Sequence, residues 1–166
     1  MMTMFRQAHL PLFLAALAAL SACTPMSDTS EVAEKTAEAG LVPLAIVSDS
    51  GRHEYRVEVA RTPQEQAQGL MYRQTMAQDR GMIFPFSPPR QASFWMQNTY
   101  LPLDMIFLTQ DGRIESIAAD TVPMSTQPYR SQGPVAAVLE LNAGEAARIG
   151  AAPGDKVIYD LDANGG

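Results

Sequence analysis

Asn98-Thr99-Tyr100-Leu101-Pro102, then Leu103-Asp104-Met105-Ile106-Phe107-Leu108-Thr109, then Gln110-Asp111-Gly112-Arg113 reads as turn, strand and hairpin in succession. Asn98 and Pro102 bracket a turn, because Asn tolerates left-handed backbone and Pro pre-sets its own φ. Asp111-Gly112 is a strong hairpin signal. The run between them has the length of a strand. On a strand, Leu103, Met105 and Phe107 face one way, and Asp104, Ile106 and Leu108 face the other. Both faces are apolar, which predicts a strand covered on both sides, with Asp104 at its rim. Ile114 to Ala118 should pair back across the hairpin.

Working outward, Leu41 to Ser48 reads as a strand, and Asp49-Ser50-Gly51 as a turn. Tyr55, Val57 and Val59 alternate with Glu54, Arg56 and Glu58, the pattern of a half-covered strand. Thr62-Pro63-Gln64-Glu65 starts a helix: Thr62 caps, Pro63 suits the first turn and Glu65 closes a capping box. Ala67, Leu70 and Met71 give it an apolar face that should pack on the sheet. Gly69 marks either the helix end or a close backbone approach. Gly81 to Phe86 reads as a strand, placed at an edge because Pro85 cannot donate to a ladder. Ser87 to Arg90 reads as a loop and Ala92 to Met96 as a returning strand. Pro123 to Pro134 reads as a long loop, and Val135 to Leu141 as a strand. Asn142-Ala143-Gly144-Glu145 suggests a second capping box, with Gly150 ending that helix, before a last strand at Val157 to Tyr159. Short strands with two small helices predict a single mainly-β domain of the β-sandwich, jelly-roll-like or barrel-like kind.

Composition bounds the partners. The chain has 166 residues and a net charge of −6, with no cluster of Lys or Arg. Sequence-independent phosphate binding needs such a cluster, so nucleic acid is not an expected partner. His53 is the only histidine outside the first twenty-two residues, which argues against zinc and His-based catalysis. No nucleophile elbow, phosphate loop or dinucleotide fingerprint occurs, and no cofactor is expected.

Arg6 and His9 precede an apolar run from Leu10 to Leu20, too short to span a bilayer stably. The run ends in Leu20-Ser21-Ala22-Cys23, which resembles a bacterial lipobox. Residues 1–22 are therefore expected to be a lipoprotein signal peptide, with the membrane as a partner through lipidated Cys23. Residues 23–40, rich in Ser, Thr, Ala and Glu, read as a flexible tether. Residues 41–166 read as the β-rich domain. The resemblance implies an envelope protein facing the periplasm, and Thr24 in place of Asp favours the outer membrane.

Asp104 and Glu140 are the informative acids. If their strands are neighbours they could form a carboxylate pair, as a hydrolase would need. Trp95, Asn98 and Thr99 lie close to Asp104 in sequence and could donate hydrogen bonds to it. The structural alternative for Asp104 is a turn-pinning acid; for Glu140, a partner for an Arg or a helix cap. The leading reading is a binding module for a small polar ligand, a glycan or an envelope partner segment. Trp95 would stack, and Asn98, Thr99, Asp104 and Glu140 would supply hydrogen bonds. A purely structural envelope protein is a further reading. Met71, Met76, Met82, Met96, Met105 and Met124 could offer soft Cu(I) ligands, but no Met-x-x-Met array appears and core packing is the simpler use.

Several blocks occur in order: Gly69-Leu70-Met71-Tyr72-Arg73, Gly81-Met82-Ile83-Phe84, Phe94-Trp95-Met96-Gln97-Asn98-Thr99 with Pro102-Leu103-Asp104, Val138-Leu139-Glu140-Leu141 with Gly144, and Gly154-Asp155. On these blocks, from about His53 to Asp160, the chain resembles the domain-of-unknown-function 192 family. That resemblance implies a compact β-rich fold and carries no established activity.

Overall fold

The structure is a computed structural model, and it describes residues 40–161. The expected signal peptide, Cys23 and nearly all of the expected tether lie outside the described residues. Seven strands are present among the described residues: β1 (Val42–Ser48), β2 (Gly51–Val59), β3 (Arg80–Phe94), β4 (Leu103–Leu108), β5 (Ile114–Thr121), β6 (Tyr129–Asn142) and β7 (Lys156–Tyr159). Helix α1 (Pro63–Gln68) follows β2, and helix α2 (Glu145–Arg148) follows β6. The strands form one sheet in the order β5-β4-β6-β3-β2-β1-β7. All neighbours are antiparallel except β2 and β3.

The sheet curls into a half-barrel. Its two ends meet at a seam, where the β4–β5 hairpin touches β7. There Val157 N donates to Gly112 O at 2.8 Å and Ile114 N to Asp155 O at 2.9 Å. Of the β architectures expected, the barrel-like one is realised: one curled sheet, not two stacked ones.

Two cores result. The inner one draws on all seven strands, including Leu44, Ile46, Val57, Ile83, Leu139 and Val157. The outer one covers the convex side of β3, β4 and β6, where Met82, Phe84, Met105, Phe107 and Val138 pack under Leu70 and Met96. Every residue of β4 is therefore buried, as its two-sided apolar pattern predicts. Met82, Met96 and Met105 serve this outer core as filler.

Several boundaries differ from expectation. β3 is one strand of 15 residues, carried through Ser87-Pro88-Pro89 by a shift of register against β6 between Pro85 and Arg90. Nor is β3 an edge strand. Pro85 is tolerated in mid-sheet because β2 pairs with β3 only as far as Val59, leaving the β2 side of Pro85 without a ladder partner. Gln66 fills that gap, donating to Pro85 O at 3.0 Å and to Ala60 O at 3.1 Å. β6 begins at Tyr129, so much of the expected long loop is strand.

Helix α1 starts as predicted, with the Thr62–Glu65 capping box formed and Gly69 ending it at φ 48°. A Cβ on Gly69 would come within 3.2 Å of the Phe84 ring, so the close neighbour is a side chain and not the backbone of the alternative reading; the helix-end reading is the one that holds. The helix buries none of its own residues, however; Leu70, just beyond it, is the buried one. At α2 the expected capping box does not form: Gly144 is the N-cap, in left-handed backbone, and no side chain of the segment caps it.

Candidate functional site

Asp104 supplies the missing cap from another strand. It is fully buried, on the inner face with Ile106 and Leu108. Its Oδ2 accepts from Ala146 N at 2.8 Å, and its Oδ1 from Gly144 N at 3.2 Å. Oδ1 also accepts from Asp120 N at 2.9 Å. That third bond has a local cause. The β4–β5 register shifts between Leu103 and Met105, and the extra residue of this bulge frees the Asp120 N–H. Asp104 thus ties the end of β5 to the start of α2 through backbone donors. Trp95, Asn98 and Thr99, the expected donors, are not its partners. The turn before β4 is instead stitched by backbone bonds to other loops: Tyr72 N to Asn98 O at 2.8 Å, and Met124 N to Thr99 O at 3.1 Å.

The expected pairing of Asp104 with Glu140 is overturned by the strand register. β4 and β6 are neighbours, but Asp104 pairs with Leu141 and Met105 pairs with Glu140. Cross-strand partners share a face. Asp104 therefore points inward while Glu140 points outward, and the sheet itself separates them. A hydrolase built on these two acids does not fit this geometry.

Glu140 sits in the row Met82–Glu140–Met105 on the convex face. It is 4% exposed, and no described residue hydrogen-bonds its carboxyl group. Burial pushes its pKa up to about 8, so at neutral pH the group is mostly the uncharged acid. It lines a cavity of about 270 Å³. Leu70, Phe84, Phe86 and Phe94 give that cavity apolar walls, with Trp95 and Arg90 at its mouth. The three Phe rings pack on one another: Phe84 and Phe94 meet edge-on at 5.0 Å, and Phe86 and Phe94 lie 6.4 Å apart. Trp95 is 54% exposed, as a stacking platform must be. The Arg90 guanidinium lies 4.1 Å over the Phe86 ring. Helix α1 contributes a wall through Gln66, Ala67 and Gln68.

Of the expected binding residues, Trp95, Thr99 and Glu140 come together on this cavity, and Asn98 and Asp104 do not line it. Asn98 serves the turn instead, with φ at 57°. Phe94, readable from sequence as a stacking residue beside Trp95, also lines the cavity, whereas Phe84, Phe86 and Arg90 were not singled out. The alternation Met82-x-Phe84-x-Phe86 was the available signal, since it sets these side chains on one face.

Backbone strain gathers near the mouth. Tyr72 and Asn98 hold positive φ, and Met124, bonded to the same turn, does too. Non-glycine residues in that region are costly and concentrate at functional sites. Tyr72 and Tyr100, both exposed, pack edge-on at 6.4 Å beside Met71 and Thr99 of the cavity lining.

On the far side of the sheet, Glu145 shows the opposite chemistry. Arg148 holds it through two bonds of 2.8 and 2.5 Å, and Tyr55 donates at 2.6 Å. Chiefly through the Arg148 bond, its pKa is held down to about 2. Burial and the neighbouring carboxylate push the Tyr55 hydroxyl well above its ordinary value. Gln78 adds a further donor to Glu145 at 3.4 Å.

A family model described as an uncharacterized ACR, DUF192, matches residues 45–159. A solved structure of a protein of unknown function from Novosphingobium aromaticivorans is 50% identical, with a TM-score of 0.70. That match covers 72% of this chain and 85% of the other. A second, titled a putative transcription regulator from Sinorhizobium meliloti, is 46% identical with a TM-score of 0.70, covering 72% of this chain and 93% of the other. No curated protein matches. The chain belongs to the DUF192 family.

Proposed function

We propose that this DUF192 protein is a lipid-anchored envelope protein whose β-rich domain binds a small ligand in the cavity over Glu140. One observation carries the reading: a buried carboxyl group without a hydrogen-bond partner faces a cavity walled by aromatic rings. A buried polar group left unpaired is costly. A ligand that satisfies it recovers that cost on binding. The aromatic walls supply contact area, and exposed Trp95 supplies a stacking face at the mouth. Anchoring through Cys23 is supported by the lipobox-like Leu20-Ser21-Ala22-Cys23 and the Ser- and Ala-rich segment after it.

Thermal-shift screening of the full-length protein against glycans, peptidoglycan fragments and amines tests the cavity, because a ligand that binds only the folded state must stabilise it. A hit should raise the melting temperature of the native protein and lose that effect in Trp95→Ala and Glu140→Gln. A complete absence of hits would favour a purely structural envelope protein. Anchoring has its own test: Cys23→Ala should move the protein out of the membrane fraction.

A further inference from the structure

We propose that the ligand of this cavity is a small organic cation, a quaternary or primary ammonium, seated against the aromatic walls with Glu140 as its counter-ion. The inference rests on the binding role just proposed and names its ligand class.

Three features of the cavity point to a cation. First, its walls are aromatic. Phe84, Phe86, Phe94 and Trp95 all line it, and aromatic rings attract ammonium groups most strongly where water is excluded. The Phe86 ring already carries a cation, the Arg90 guanidinium 4.1 Å from its centroid. Second, the more enclosed polar side chains are committed elsewhere. The Gln66 amide nitrogen serves Ala60 O and Pro85 O, and the Thr99 hydroxyl donates to Gln97 O. A sugar needs several donors and acceptors around its ring; an ammonium needs π faces and one carboxylate. Third, Glu140 is the single acid of the lining, and it has no competing partner among the described residues.

The charges around Glu140 leave this role open to it. On β2, across Met82, Glu58 is matched by Arg73 at 2.5 and 2.7 Å. On α1, Glu65 is spent on the backbone N–H groups of Arg61 and Thr62. On β3, Arg90 is exposed at the mouth, where solvent and salt screen its charge. β4 presents Met105 to Glu140, without charge. A cation arriving at the floor would therefore ionise Glu140 and release its proton, since a nearby positive charge favours the carboxylate. Binding of a neutral ligand would release none.

Calorimetric titration of the full chain with choline, and with dimethylbutanol as its neutral carbon isostere, tests the proposal. Choline should bind at least tenfold more tightly. Its binding near pH 7 should release about one proton, read from titrations in buffers of different ionisation enthalpy. Choline affinity should rise from pH 6 to pH 9. Glu140→Gln should lower choline affinity at least tenfold and bring it close to that of dimethylbutanol, and near-UV circular dichroism should show the variant folded. Equal affinity for the two probes, or choline binding that survives Glu140→Gln, would overturn the cation assignment. If choline fails and N-acetylglucosamine binds in a Glu140-dependent way, the cation assignment falls and the binding role stands. If neither binds and no thermal-shift hit depends on Glu140, both fall.

Discussion

The two faces of the sheet treat a buried acid in opposite ways. On the concave side, Asp104 accepts three backbone N–H groups and Glu145 is held by Arg148 and Tyr55. On the convex side, Glu140 is as deeply buried and has no partner among the described residues. Burial alone therefore does not mark a site here. What separates a structural acid from a candidate functional one is whether the fold has already satisfied it. Asp104 closes a bulge and caps a helix; Glu140 opens onto a cavity.

Matched amide substitutions put the largest strain on that contrast. Asp104→Asn removes an acceptor from buried backbone donors and should cost about 3 kcal/mol in urea unfolding. Glu140→Gln replaces an acid that the fold must keep mostly uncharged at pH 7 with a neutral amide, so it should cost no stability there and should raise it. Comparable losses for both would erase the distinction.

The pH profile is the next test. The Glu140 pKa is about 8 in the folded protein, above its ordinary value of 4.5. The folded state then keeps a proton that the unfolded chain has lost. Glu140's contribution is fully present below pH 4.5 and is lost as pH rises through about 8. The limiting slope is about 1.4 kcal/mol per pH unit, and Glu140→Gln should remove it. Glu145 runs the other way: its pKa is lowered to about 2, so its contribution is present above pH 4.5 and lost as pH falls through about 2. Urea midpoints of wild type and Glu140→Gln, compared from pH 5 to pH 9, check the first sign.

A smaller effect is expected where the two faces are held together. At Gly81 a Cβ would lie 2.4 Å from Glu140 O and 2.7 Å from Leu141 Cδ2. Gly81→Ala should cost about 1–3 kcal/mol through overpacking. It should also lower the affinity of any cavity ligand, because it displaces the backbone that carries Glu140. The smallest effect should come from Thr62→Ala, about 1 kcal/mol from the lost cap of α1. Hydrogen exchange should confine that loss to the α1 wall and leave the Asp104 amides protected.

The local chemistry was legible in the sequence and the long-range register was not. Leu103 to Leu108 showed apolar residues at both parities, and β4 is buried on both sides. Thr62, Pro63 and Glu65 announced a helix start that the structure contains. Asp104 and Glu140 could each be placed on a strand face, but how those faces combine depends on β6 lying between β4 and β3. That order is fixed by contacts far apart along the chain, and a one-residue change of register would reverse the answer. Pro85 misled for the same reason: it excludes a ladder bond on one side only, and where β2 stops is a tertiary fact. Part of the cavity wall was hidden because Phe84 and Phe86 also read as ordinary core, which they are.

The seam between the β4–β5 hairpin and β7 bears on how the protein behaves when crowded. An open sheet has two bare edges, each able to recruit a strand from another molecule. Here Gly112 and Ile114 engage Asp155 and Val157, so part of each edge is already occupied. β7 is only four residues long and carries Lys156, a short and charged template for growth. The curl that encloses the inner core thereby also discourages edge-to-edge polymerisation.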